Sequence, residues 1–133
     1  MSGIIELKEL LKNLSPAEQP GEFVFCSVKG DLSDFCHLKP IASFIESEGL
    51  TLVLPVESAD KAGIEYRSKF KQITLTVHSS LDAVGLTAAV ANKLTQHGVS
   101  ANVIAAYYHD HIFVQTDRVE DALTALKLLS ETS

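Results

Sequence analysis

The run Ser79-Ser80-Leu81-Asp82-Ala83-Val84-Gly85-Leu86 gathers the residue types that hold a small zwitterion. Ser79 and Ser80 offer hydroxyl donors, Asp82 a carboxylate for an ammonium group, and Gly85 a backbone that a ligand can approach closely. A helix starting here adds the free N–H groups of its first turn and a positive dipole end, which suit a carboxylate. The candidate ligand-binding residues are therefore Ser79, Ser80, Leu81, Asp82, Val84, Gly85 and Leu86, with Asn102 early in the next strand. The same residues also suit a plain strand-to-helix turn in which Asp82 or a serine caps the helix.

Other groupings carry less chemistry. In His109-Asp110-His111, neighbouring side chains on a tight turn point apart, so an exposed hairpin turn is expected in place of a metal site. Cys36-His37, with Cys26, lacks the spacing of a metal motif, and both cysteines are expected to be reduced and structural. No nucleophile elbow, P-loop or paired-carboxylate cleft is present, so no catalytic residue and no cofactor are expected.

The elements that position the loop follow from periodicity. Ile73, Leu75 and Val77 alternate with Gln72, Thr74 and Thr76 in a strand over 70–77. Leu86, Val90 and Leu94 mark one face of a helix that stops at His97-Gly98. A strand over 99–108, apolar on both faces and so expected to be central, is followed by a turn at 109–110 and a strand over 111–116. A last helix over 118–129 carries the stripe Val119, Ala122, Leu123, Leu126 and Leu129, and Asp117 with Glu120 fits a capping box. This β-α-β-β-α order is the skeleton of an α+β, ferredoxin-like sandwich.

The first half reads as a helix with the stripe Ile4, Leu7, Leu10, Leu11 and Leu14, then a strand over 22–28. A turn-prone loop over 29–40, a hairpin over 41–54 and a short helix over 57–62 ending at Gly63 complete it. Residues 52–62 mirror residues 112–122, an aliphatic strand running into an acidic helix start, which points to a tandem duplication of two βαββαβ-type modules, 1–64 and 65–133. The first half shows no strand before its helix and the second none after its last helix, so the halves are expected to lend strands to each other or to pack so closely that neither folds alone.

The 133 residues are 46% hydrophobic, enough for a core, and the formal net charge is −6. An acidic balance disfavours nucleic acid, and Arg67, Lys69 and Lys71 read as a solvated strand face. No apolar run reaches the roughly 18 residues of a membrane span, and the N-terminus lacks the features of a signal peptide, so a cytoplasmic protein without membrane contact is expected.

The run 79–86, followed by Leu94-Thr95-Gln96-His97-Gly98-Val99-Ser100 and Ile112-Phe113-Val114, resembles an ACT domain. Gly21-Glu22-Phe23-Val24-Phe25-Cys26 and residues 44–55 resemble the first module of a small bacterial group of tandem ACT proteins. The resemblance implies a non-catalytic regulatory protein that senses an amino acid between ACT-like modules, and association into a homodimer or with a protein partner. A constitutive interaction module that keeps the fold without a ligand is the alternative. A minor enzymatic activity rests only on the cysteines and histidines.

Overall fold

The computed structural model of the chain describes residues 2–77 and 85–133, the side chains of residues 2–5 excepted. In chain order the elements are α1 (Ser2–Lys12), β1 (Pro16–Glu18), β2 (Phe23–Val28), β3 (Ala42–Glu46), β4 (Gly49–Pro55), α2 (Val56–Ala62), β5 (Phe70–Leu75), α3 (Leu86–Gln96), β6 (Asn102–Ala105), β7 (Asp110–Gln115) and α4 (Val119–Glu131). The chain divides into two compact units, residues 20–70 and residues 1–19 together with 71–133. Thus α1 and β1 fold with the C-terminal half, whereas the module limits 1–64 and 65–133 follow chain order.

In the larger unit, β5 lies between β1 and β7, and β6 forms the edge beyond β7. The connection β5-α3-β6-β7-α4 is that of a ferredoxin-like module, and β1 takes the place of its last strand. β1 runs antiparallel to β5 with Pro16 opposite Leu75 and Glu18 opposite Ile73. The core joins Ile73 and Leu75 of β5, Ile112 and Val114 of β7, Leu86, Val90 and Leu94 of α3, Ala122, Ala125 and Leu126 of α4, and Leu11 and Leu14 from the N-terminal segment. These positions repeat every second residue in strands and every three to four in helices, as burial of one face requires.

The smaller unit is an antiparallel sheet in the order β3-β4-β2 with α2 on one face. Val24 and Cys26 of β2 and Leu50, Leu52 and Leu54 of β4 alternate into a core completed by Leu38, Val56 and Ala59. Residues 29–40 form two 3₁₀ turns, Leu32–Asp34 and Cys36–Leu38, where a complete module would carry its first helix. Gly63, in the left-handed region at φ 67°, ends α2 as the sequence suggests.

Three expectations are corrected. β6 is an edge strand of four residues, because its apparent two-sided apolarity came from alanines and from Tyr107 and Tyr108, which sit beyond it and are 74% and 62% exposed. The capping box at Asp117 and Glu120 does not form. A 3₁₀ turn, Thr116–Arg118, precedes α4, whose N-cap is Arg118 without a side-chain cap bond. Arg118 instead donates from Nη2 to the His97 carbonyl at 2.9 Å and pairs with Asp121 at 3.0 Å, placing a cation where α3 ends. Finally, β5 is flanked on both sides in its unit, and Lys71 pairs with Glu18 of β1 at 3.3 Å, so that lysine does not belong to a solvated face.

Because β1 supplies the neighbour that β5 would otherwise lack, a chain beginning at Tyr66 should aggregate or remain partly unfolded. Thermal denaturation checks this: a sharp cooperative melt from residues 66–133 alone would show that β1 is dispensable.

Candidate functional site

Of the loop singled out from sequence, Ser79, Ser80, Leu81, Asp82 and Val84 lie outside the described residues. Gly85 is the N-cap of α3, in the left-handed region at φ 95°, and its carbonyl accepts the first helical bond from Ala89 N–H at 2.9 Å. A Cβ at Gly85 would stand 3.1 Å from Leu7 Cδ2. Glycine is thus required both by the backbone and by α1, whose Leu7 the sequence pattern did not connect with this place. Leu86 is buried in the core of the larger unit. Asn102 on β6 donates from its amide to the Phe113 carbonyl at 3.2 Å.

A polar cluster occupies the sheet of the larger unit on the residues that alternate with the core. Gln19 Nε2 donates to Thr74 Oγ1 at 3.1 Å, and His111 Nδ1 lies 3.0 Å from Thr74 Oγ1 and 3.1 Å from Gln72 Nε2. The Gln72 amide nitrogen is only a donor, so Nδ1 accepts and the ring proton sits on Nε2. Thr74 is 5% exposed, and every buried side-chain nitrogen or oxygen among the described residues has a partner. Burial, then the nearby His109, lowers the His111 pKa against the opposing pull of Asp110. Burial raises the Asp110 pKa, against both histidines. Asp110 and His111 thus open β7 in a half-buried setting, which corrects the expected exposed turn; that turn falls at 106–109, closed by a bond from Ala106 N–H to the His109 carbonyl at 3.0 Å. Among the described residues no group of histidines, cysteines and acids can hold a metal ion.

The smaller unit carries a groove of about 790 Å³ bordered by Phe25, Ser27, Glu46, Glu65, Arg67 and Phe70. Phe25 and Phe70 meet edge to face, with ring centroids 5.2 Å apart and an interplanar angle of 71°. Glu46 accepts a hydrogen bond from the Thr51 hydroxyl. Cys26, also in the lining, is buried with the core of the unit, and burial raises its pKa against a weak bond to the Leu52 carbonyl, so the thiol is protonated and inert. The groove went unforeseen because its residues come from three separated stretches, and Arg67 had been assigned to a solvated face.

Two modules in one chain, the larger with ferredoxin-like connections, define an α+β protein of ferredoxin-like architecture. Two models described as ACT domain match the chain, over residues 2–71 and 67–127, and the chain belongs to the ACT domain family as a tandem ACT protein. It is similar over 96% of its length to a protein of unknown function from Vibrio cholerae, a possible transport protein, with 57% identity, 98% of that chain covered and a TM-score of 0.89. At the level of fold alone it resembles the regulatory subunit of aspartate kinase from Thermus flavus, with 8% identity, 86% of this chain and 95% of that one covered and a TM-score of 0.61. Aspartate kinase from Clostridium acetobutylicum is also similar in fold, at 11% identity and a TM-score of 0.64, over 89% of this chain and 34% of that one. Comparison with curated proteins gives no match. Among the described residues no helix is long and apolar enough to cross a membrane.

The lowered His111 pKa makes neutral imidazole the native form. Its contribution to stability is therefore complete above the ordinary histidine value of about 6.5 and is lost as pH falls through the lower folded-state value. Asp110 acts with the opposite sign, its contribution being present at low pH and lost as pH rises through its raised folded-state value. Denaturant midpoints measured from pH 7 to 5 should fall for the natural chain and fall less for His111→Gln; equal slopes would place the titration elsewhere.

Proposed function

We propose that the protein is a non-catalytic regulatory module that senses a free amino acid and passes the signal to a partner in the cytoplasm. Membership of the ACT family, whose domains occur in amino-acid-sensing regulatory proteins, supports this reading. The observation that carries it is that α3 starts at Gly85, directly after the serine- and aspartate-bearing run, so that the N–H groups of its first turn belong to a helix end of the kind that suits an anion. The ligand carboxylate would sit on those groups, with Ser79 and Ser80 beside it and Asp82 toward the ammonium. Modules 1–64 and 65–133 would act together in one chain, without a cofactor and without nucleic acid or membrane as partners.

Assembly belongs to the same proposal. β3 is an edge strand whose Phe44 and Ile45 point to opposite faces and are 70% and 85% exposed. An edge of this kind, lacking lysine and proline, is suited to pairing with a second strand. A homodimer follows, and the same exposed residues favour the second reading, an interaction module that works without a ligand.

A thermal-shift screen with the proteinogenic amino acids tests the sensor. A ligand that binds only the folded state at about 100 times its Kd adds roughly 2.7 kcal/mol, a rise of several degrees for a chain of this size. Asp82→Asn should weaken the shift strongly and Ser79→Ala by about 1 kcal/mol. Gly85→Val is unsuitable, because it would clash with Leu7 and strain the backbone whether or not a ligand binds. If no amino acid shifts the melt at millimolar concentration, the ligand-free interaction module replaces the sensor.

Sedimentation at micromolar concentration should show a dimer, and Ile45→Lys should shift it to monomer. A monomer across that range in the natural chain would remove the assembly.

A further inference from the structure

We propose that the groove of the smaller unit is a binding site for a free α-amino acid with a large apolar side chain. The proposal shares its ligand class with the function proposed above and assigns it to different residues.

Three properties of the groove point to that ligand. Its volume, about 790 Å³, lies in the range of small-molecule sites. Its border carries both signs of charge, Arg67 against Glu46 and Glu65. The ion pairs among the described residues are Lys71–Glu18 and Arg118–Asp121, so the Arg67 guanidinium is not engaged by a carboxylate there and keeps its fork for one. One cation and two carboxylates leave the border with a net charge of −1, which disfavours a phosphate or another multiply charged anion and suits a zwitterion. Lastly, the edge-to-face pair Phe25 and Phe70 forms an apolar wall, the natural seat for a large aliphatic or aromatic side chain.

The strand register adds polar backbone. Val56 N–H donates to the Glu22 carbonyl at 3.0 Å, and β2 continues opposite β4 from Phe23 and Pro55 to Val28 and Leu50. Bonded and non-bonded pairs alternate along an antiparallel ladder, so Val24 and Cys26 bond to β4, whereas the N–H and C=O of Ser27, a residue lining the groove, face away from it. An amino acid there meets the guanidinium with its carboxylate, Glu46 or Glu65 with its ammonium, Ser27 with its polar atoms and the aromatic wall with its side chain.

Isothermal titration of the full-length chain with L-phenylalanine and L-leucine tests the site, with N-acetyl-L-phenylalanine amide as the probe whose ends are uncharged. Expected is binding of the free amino acids and none of the blocked probe. Arg67→Ala and Glu65→Gln, both at exposed positions, should each weaken binding by about tenfold or more without changing the melt of the free protein. Glu120→Gln, at an exposed position of α4, should leave the affinity unchanged. Three results would overturn the proposal: no binding of either amino acid, equal binding of the blocked probe, or full affinity in both Arg67→Ala and Glu65→Gln. The last of these would leave amino-acid sensing standing and its site elsewhere than the groove.

Discussion

A β-strand in the middle of a small sheet must have its backbone groups paired on both sides, and β5 meets this on one side through a segment more than fifty residues earlier in the chain. Pro16, Ala17 and Glu18 pair with Leu75, Thr74 and Ile73, and the contact extends past both ends of β1. Gln19 N–H donates to the Gln72 carbonyl at 2.8 Å, and the Thr76 hydroxyl donates to the Ser15 carbonyl at 2.7 Å. Proline is tolerated because it opens the strand, where one missing donor costs little. The same docking drives Leu14 into full burial and lays α1 against α3 and α4, with Ser130 Oγ donating to the Lys12 carbonyl at 2.9 Å. Leu7 reaches Gly85 as a consequence. The N-terminal segment thus completes the sheet, the core and the surroundings of the α3 start.

Periodicity made most elements legible, and the exceptions share a physical cause. Leu86, Val90 and Leu94, or Leu50, Leu52 and Leu54, announce a buried face because one element repeats the signal along itself. β1 is three residues long and begins with proline, so it carries no period, and only its partner 55 residues away makes it a strand. The need for it was nevertheless visible as a module one strand short. β6 misled in the opposite sense, since alanines and tyrosines imitate a buried strand by type while the sheet order leaves it at the edge.

The candidate sites differ in the same way. A loop at a helix start is contiguous, so Ser79 to Leu86 could be read off as a run. The groove is assembled from β2, the β3–β4 hairpin and residues 65–70, and no local window contains Arg67 together with both rings of its aromatic wall, since Phe25 lies far from Phe70 in the chain. Leu86, chosen for its place in the run, belongs to the core because its helical spacing with Val90 outranks its nearness to the loop. The polar face of β5 was plain from Gln72 and Thr74, but their partner His111 was concealed in a triplet that resembled a turn.

The two units use the outer faces of their sheets for different ends. In the larger unit that face is closed by hydrogen bonds among Gln19, Gln72, Thr74 and His111. A buried polar network stabilises one arrangement only when every member is satisfied, and here the histidine must stay neutral to accept, so the network has little freedom to accommodate a ligand. In the smaller unit the corresponding face holds aromatic rings and charged side chains around an open groove. Its strands are already fixed by the core beneath them, where Val24, Leu52 and Leu54 are fully buried. Two tandem modules share one fold; satisfied hydrogen bonds commit one outer face to stability, whereas the other sets an Arg67 without a carboxylate partner among the described residues beside an apolar wall.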